Sequence, residues 1–521
     1  MEPDELDVDN TPDNSDKDLE RGLKEMQKAQ VEYKKAKQYY DGDQGEKYIS
    51  DVIRQALSGS KNDFYVNLAP RVVHAVTDRL EIAALTVTTD GGTPESMDVS
   101  NDQSVAASGS THSAVEKLNK DVWHENELDQ EAPDVHLKAG IFGDSYLFMW
   151  PNDDGGLDVF MHDPMGVRVF YDEENPRHIK MAIHWWETED GYVRVNLWYP
   201  DWCVKYKTKT SRSRGLTAQN FVPYVDEDTD EQGIMENVLR RVPFWHFRTA
   251  RPYGVPLHKN AYGPQDAITK LVKSMMTITD FASFPQRWAL GETGAGSDED
   301  FDWEDDDTAP EDLASELISG PGRVWFLKNI KNVGQFSEAN VDQVVKPLDK
   351  FIELMAATTG TPMTYLNKVR GTASTPLSGA SQRELEASHL HKVRSVQRSF
   401  GATWRSLLSF ALEHLGEGDA TVTVQWAPAY FRDDKETWDA VLSQQAAGVP
   451  KRVTLMERSY TEAEVESWGY TEEEPNGPQE EQVDDAFTAE QRKPVRPELR
   501  QNMDGDTSRF NEGGTNSNNS R

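Results

Sequence analysis

The sequence has little cysteine, no long apolar run and few basic residues. Cys203 is the one cysteine among 521 residues, so neither an intrachain disulfide nor a cluster of thiolate ligands can form. No stretch of about eighteen apolar residues occurs. The N-terminus is acidic where a signal peptide would be basic and then apolar. We therefore expect a protein of an aqueous, non-secretory compartment, with no membrane partner.

Acidic residues dominate the charge. The chain has 55 Lys and Arg against 90 Asp and Glu, a formal net charge of −35. Because a nucleic-acid coat neutralises phosphates with clustered bases, this balance argues against one. Single cores stop growing near about 250 to 300 residues, so the length predicts two or three domains. Residues 1–16 and 471–521 have almost no apolar periodicity and are predicted to be disordered tails.

Motifs for nucleotide, metal and cofactor binding are absent from the sequence. No P-loop, Gly-x-Gly-x-x-Gly or His-x-x-x-His pattern occurs, and His389 and His391 point to different faces of a helix. We expect no metal and no cofactor. Gly-Asp-Ser at 143–145 leaves a serine hydrolase with Ser145 as nucleophile as one alternative. Such a site needs a histidine held by an aspartate, and no Asp-x-x-His follows downstream.

The periodicity of apolar residues predicts an α+β protein. A period of two between residues 141 and 207 predicts one antiparallel meander, to which residues 242–247 would add a strand. Residues 88–112 are predicted to be a loop. Helical spacing is predicted for residues 17–40, 70–85, 264–284, 340–360 and 381–416, and a further strand for 421–427.

The stretch 291–320 contains twelve acidic residues and no base. It lacks the EF-hand pattern, so we interpret it as a solvated loop or a docking surface for a basic partner rather than a cation site. The candidate docking residues are Asp300, Asp302, Glu304, Asp305, Asp306 and Asp307.

Basic residues are concentrated between residues 358 and 405, where seven Lys or Arg accompany two acids, a balance of 7 − 2 = +5. Within this stretch Gly360 and Pro362 are predicted to end a helix. Lys368 and Arg370 follow in a Thr-, Gly- and Ser-rich loop with no acid nearby. The bases could pair with acids elsewhere or on a neighbouring subunit, or they could face a polyanion. The remaining candidates are Asn367, Thr372 and Ser374 in the loop, and Arg383, Lys392, Arg394 and Arg398 on the next helix.

Several segments, in this order, resemble the portal proteins of tailed bacteriophages, the head-tail connectors. No single motif is diagnostic, but the ordered set extends over roughly residues 25 to 470. The matching segments include "NLAPRVVHAVTDRLEI" from 67, "VDQVVKPLDKFIELMAATTGTPMTYL" from 341 and "SGASQRELEASHLHKVRSVQRSFG" from 378.

The resemblance implies a portal-type α+β subunit in a closed homo-oligomeric ring, twelve-fold in assembled virions. Such a ring is built from head-to-tail interfaces whose rotation closes. The implied parts are a wing at 17–263, a stem helix at 264–284, a clip at 285–339, a second stem helix at 340–360, a tunnel loop at 361–378, a long kinked helix with a returning wing strand at 379–433, and a helical crown at 434–470.

The resemblance also implies a function and partners. The ring would stand at the capsid portal vertex of the virion, assembled in the host cytoplasm, without enzymatic activity. It would pass double-stranded DNA, with the tunnel loop facing the DNA. The implied protein partners are the large terminase, a head-tail adaptor, and the major capsid and scaffolding proteins. A DNA-binding adaptor or other head-completion protein is the first alternative.

Overall fold

The computed structural model describes most of the chain up to residue 429 and parts of the remainder. The described residues are 15–45, 66–89, 94–99, 110–212, 217–225, 233–283, 287–291, 330–335, 342–366, 379–418, 420–429, 439, 442–444, 446–457, 465 and 468–471. The chain divides into two compact units, Met1–Asp434 and Lys435–Arg521. All sites discussed below belong to the first unit.

Helix and strand are mixed along the chain, as the predicted class requires. The α-helices are α1 (Ser15–Asp41), α2 (Ala69–Thr77), α3 (Ser110–Lys117), α4 (Leu128–Phe142), α5 (Tyr262–Ser283), α6 (Asp342–Thr359), α7 (Met363–Leu366), α8 (Gly379–His414) and α9 (Lys451–Glu457). A π-helix at Leu118–His124 joins α3 to the turn before α4, and short 3-10 helices lie at Ala218–Asn220 and Lys259–Ala261. No described helix is long and apolar enough to cross a membrane.

The described strands form four sheets. They are β1 (Ile82–Thr88), β2 (Glu95–Asp98), β3 (Asp144–Pro151), β4 (Leu157–His162), β5 (Val167–Tyr171), β6 (Ile179–Glu187), β7 (Val193–Trp198), β8 (Trp202–Thr208), β9 (Phe221–Pro223), β10 (Ile234–Glu236), β11 (Phe244–Arg248), β12 (Arg287–Gly291), β13 (Ile330–Gln335) and β14 (Thr421–Trp426). The sheet orders are β14-β1-β2, β10-β8-β7-β6-β5 with β9 on β8, β11-β3-β4, and β12-β13.

The single meander predicted from the sequence is wrong, because the strands divide between two layers. On β3, Leu147 and Met149 belong to the core that includes α8, whereas Tyr146 and Phe148 face the sheet of β5 to β8. Both faces of β3 are therefore buried, and β3 cannot lie in the same layer as β5 to β8. The predicted strand at 242–247 is present as β11, and it pairs with β3.

The helix predicted at 70–85 is also only half correct. Helix α2 ends at Thr77, and β1 begins at Ile82 and pairs with β14, with Leu85 opposite Val424. Part of the predicted loop at 88–112 is β2, which pairs with the other edge of β1. A strand partner more than 300 residues away thus overrides the local helical spacing, because β-structure depends on the neighbours that a strand finds.

The long helix α8 is the centre of the largest core. Phe400 and Trp404 are fully buried and pack with Trp123 of the π-helix and Phe247 of β11. Burying a large apolar side chain contributes about 1.5 to 3 kcal/mol, so this group of aromatic residues fixes α8 against the π-helix and β11. On the far side, α1 covers the sheet of β5 to β8 through Leu19, Leu23 and Met26.

Candidate functional site

The segment before the predicted loop has a defined start. Helix α6 ends at Thr359, and Gly360 takes a positive φ of 65°, a conformation that favours glycine. The buried hydroxyl of Thr359 donates to the carbonyl of Met355 at 2.7 Å and lies 3.1 Å from the hydroxyl of Thr361. The predicted end of this helix at Gly360 is therefore confirmed, and the chain continues into the short helix α7.

Tyr365 of α7 attaches this segment to the body of the subunit. Its hydroxyl donates to Glu386 of α8 at 2.7 Å and accepts a hydrogen bond from Arg79, whose guanidinium carbon lies 4.7 Å from the Tyr365 ring centroid. Burial, together with the hydrogen bond to Glu386, raises the pKa of Tyr365 to about 12. The described chain on either side of residues 367–378 is thus joined through one aromatic side chain.

The predicted site residues of the loop and of the acidic insert lie outside the described residues. These are Asn367, Lys368, Arg370, Thr372 and Ser374, and the acids Asp300, Asp302, Glu304, Asp305, Asp306 and Asp307. Arg383 lies on α8, but its side chain is also outside the description. Their predicted roles stay predictions.

The described bases of α8 have two different environments. The ammonium of Lys392 is directed into the subunit, where it donates to the carbonyl of Thr359 at 3.3 Å, and burial lowers its pKa. Arg394 and Arg398 are exposed. Lys392 therefore connects α8 to the end of α6, whereas the two arginines are available to a partner.

Arg394, Arg398 and Arg405 form an exposed basic row, which we name the arginine ridge. Their spacings of four and seven residues place them on one face of α8. With Val424 and Trp426 of β14 they line an open groove of about 460 Å³. The arginine ion pairs in the described chain involve Arg21, Arg168 and Arg240 instead.

Ser145 does not have the surroundings of a catalytic nucleophile. Its side chain is fully buried, and its hydroxyl has no hydrogen-bond partner among the described residues. The nearby His246 uses both ring nitrogens elsewhere, on Tyr171 at 2.7 Å and on Asp144 at 2.7 Å. No described base is therefore hydrogen-bonded to Ser145, as the hydrolase alternative would require.

Asp144, beside it, is the centre of a buried polar network that the sequence analysis missed. Its carboxylate accepts hydrogen bonds from Tyr33 at 2.6 Å and the amide of Gly254 at 2.6 Å, besides its contact with His246, and it pairs with Arg168 at 3.4 Å. Burial alone would raise its pKa, but these partners outweigh burial and hold the pKa at about 2. One carboxylate thereby connects α1, β3, β5, β11 and the chain leading to α5.

The signal for this network in the sequence is weak: an aspartate directly before the apolar run "SYLFMW". Its partners are far away in the sequence, so spacing could not identify them. Among the described residues, no group of three or more His, Cys, Asp or Glu is arranged to hold a metal ion. The network connects its elements through hydrogen bonds and charge.

Comparison with known proteins places the chain in the family that its segments resemble. The family described as phage portal protein, SPP1 Gp6-like, matches residues 19–477, and this chain belongs to that family. A curated relative is the portal protein of Mycobacterium phage D29, 22% identical over 344 residues. That alignment covers 60% of this chain and 61% of the relative, so the chain spans about three fifths of the length of this relative.

Among the solved structures with similarity to the chain are chains of gene transfer agent (GTA) particles. One is a chain in the virion of the native particle, with a TM-score of 0.41, 12% identity, and coverage of 77% of this chain and 95% of that one. Another is a chain in the neck of the native particle, computed with C12 symmetry, with a TM-score of 0.40, 13% identity, and coverage of 75% and 94%.

Proposed function

We propose that this protein forms the portal ring at one capsid vertex, the channel through which DNA is packaged and later ejected. The observation that carries the proposal is the family match over residues 19–477, nearly the whole chain outside the two tails. A structural role fits the described residues, because Ser145 is buried without a base. We expect a virion protein that catalyses no reaction.

Helices α5 and α6 are proposed as the stem. Ile268 and Val272 of α5 share a buried cluster with Met355 of α6, so the two helices pack side by side. The parts between and after them follow the family order, with the β12-β13 ribbon in the clip at 285–339, the tunnel loop at 361–378 and the long helix from 379. Residues 17–263 would form the wing and 434–470 the crown.

The tunnel loop is proposed as the part that meets DNA, with Lys368 and Arg370 as the principal residues. Each added phosphate contact strengthens binding in a salt-dependent way, so a channel that lets DNA slide should have few bases in an acidic surround. A net charge of −35 with two bases in a short loop meets this requirement. The acids at 300–307 are proposed to dock the packaging terminase or a head-tail adaptor, and the wing to meet capsid and scaffolding proteins.

Negative-stain images of the purified full-length protein test the proposal directly. We expect rings with a central hole and twelve-fold symmetry in the assembled particle. Light scattering that finds only a 59 kDa monomer at every concentration, even with scaffold protein present, would contradict it. Tight binding of duplex DNA by monomers at physiological salt would favour the DNA-binding adaptor instead.

A further inference from the structure

The same unit that carries the arginine ridge also carries a surface of opposite charge. Asp78, Glu81, Asp129 and Asp134 are exposed and line an open groove of about 460 Å³ between the end of α2 and the start of α4. Apolar side chains of Ile82, Val99 and Leu137 line it as well, and no Lys or Arg does. We name this surface the acidic groove.

Most acids of this groove form no ion pair with another described residue. Among the described ion pairs, only Asp78 of these acids takes part: this residue follows α2 directly and lies 3.2 Å from His74 of that helix. The stretch 121–134 adds Asp121, Glu125, Glu127 and Glu131 with no Lys or Arg. A surface with this much uncompensated negative charge favours a positively charged partner.

We propose that the arginine ridge of one subunit docks in the acidic groove of a neighbouring copy. The two surfaces share no lining residue, although they meet where Trp426 of β14 pairs with Ile82 of β1. An interface between two different patches of the same chain is head-to-tail, and repetition of it closes a ring when its rotation allows. This inference rests on the proposed ring and names the residues that select the neighbour.

A second copy explains the ridge better than DNA does. Val424 and Trp426 flank the arginines, and arginine beside an aromatic side chain is typical of protein interfaces. A row of three exposed arginines along a channel would add phosphate contacts and hold the DNA, which opposes sliding. Moreover, the complementary surface of four acids is present on the same chain.

Reciprocal charge reversal tests the pairing in the full-length protein. Arg394→Glu with Arg398→Glu should raise the dissociation constant of the subunits at least about tenfold, because like charges would face each other. Asp129→Lys with Asp134→Lys should do the same. Combining all four substitutions in one chain should restore rings, and so should mixing the two double variants, which can alternate around a ring.

The control is Arg177→Glu with Lys180→Glu, two exposed bases, one in the turn before β6 and one at the start of β6, that lie outside both surfaces. This variant should form rings like the wild type. Thermal melts of the monomers check folding, and if a reversed variant does not fold, the milder Arg394→Gln with Arg398→Gln should weaken association measurably.

The outcomes separate this inference from the proposed function. If the wild type forms no ring, the portal function itself fails. If wild-type rings form and the reversed variants form them equally well, only the pairing is overturned. If the reversed variants assemble but lose DNA packaging, the ridge faces DNA. If assembly is lost and the four-fold combination does not restore it, the two surfaces are not partners.

Discussion

The hydroxyl of Tyr365 donates a 2.7 Å hydrogen bond to Glu386, so the helix before residues 367–378 is attached to the helix that follows them. The proposed DNA-facing loop therefore follows a segment that Tyr365 holds against α8. Arg79 of the loop between α2 and β1 contacts the same hydroxyl and the same ring. The anchor therefore joins α7, α8 and the loop between α2 and β1.

Tyr365→Phe should reduce the free energy of unfolding by about 1 to 2 kcal/mol, because it leaves Glu386 and Arg79 without their shared partner. Urea unfolding of the purified protein measures the change. Tyr192→Phe is the matched control, since Tyr192 stacks with Lys207 and its hydroxyl makes no hydrogen bond within the described chain. Equal effects of the two substitutions would show that Tyr365 is not an anchor.

Lys368→Glu with Arg370→Glu should impair DNA packaging or retention while rings still assemble. The reason is that these substitutions reverse the charge of the proposed DNA contact without touching the described core. Packaged DNA per particle, measured by nuclease protection, checks the result, with Lys120→Glu on the exposed side of the π-helix as control. Failure of ring assembly would instead place the two bases at a subunit interface.

Substitutions of two neighbouring residues should differ widely in their effect on stability. Asp144→Asn should lower the free energy of unfolding by about 3 kcal/mol or more, because it breaks a buried pair with Arg168 and leaves that charge uncompensated. Ser145→Ala should be close to neutral, since its buried hydroxyl has no described partner to lose. Packaging by the Ser145→Ala variant should be intact, and its loss would revive the hydrolase alternative.

Acid should destabilise the subunit through two histidines, the buried His136 and the half-buried His184. Burial lowers the pKa of His136 and of His184 to about 3, from an ordinary value of 6.5. Both stay neutral in the folded protein, while the unfolded chain takes up protons below pH 6.5. The stability is therefore fully present above pH 6.5 and is lost as the pH falls toward 3, by up to about 1.4 kcal/mol per pH unit for each histidine.

Urea unfolding at pH 7 and pH 5 measures this loss. His184→Gln should make stability less steeply dependent on pH, because the unfolded chain then gains one proton fewer. The exposed His178→Gln is the control, and it should leave the steepness as in the wild type. An unchanged steepness in both variants would contradict the role of His184.

Long helices were predictable because their signals are local. The apolar spacing and the start and stop residues of α5, α6 and α8 lie within each helix, and the structure places them at Tyr262–Ser283, Asp342–Thr359 and Gly379–His414. The predictions were wrong where the structure of a segment depends on a strand partner far along the chain. The predicted helix at 70–85 includes residues 82–85, yet these belong to β1, which pairs with β14.

The candidate site likewise has features that the sequence predicted and features that it did not. Segregated charge marked the bases of α8, but charge alone does not tell Lys392, which bonds inward to Thr359, from the exposed Arg394. The network of Asp144 could not be anticipated, because Tyr33, Arg168 and His246 approach it only when α1 and two sheets have packed. The tripeptide Gly-Asp-Ser at 143–145 suggested Ser145 as a nucleophile. In the structure Ser145 is buried, and no described base is hydrogen-bonded to it.

By itself, then, the amino-acid sequence determined the α+β class, the order of segments that marks the portal family, and the concentration of bases in an acidic chain. These properties are set by composition and by neighbours within a few turns. Only the tertiary structure decided which layer each strand joins, which bases face outward, and that an acidic groove and an arginine ridge coexist on one unit. The physical reason is that burial and pairing depend on contacts between residues hundreds of positions apart.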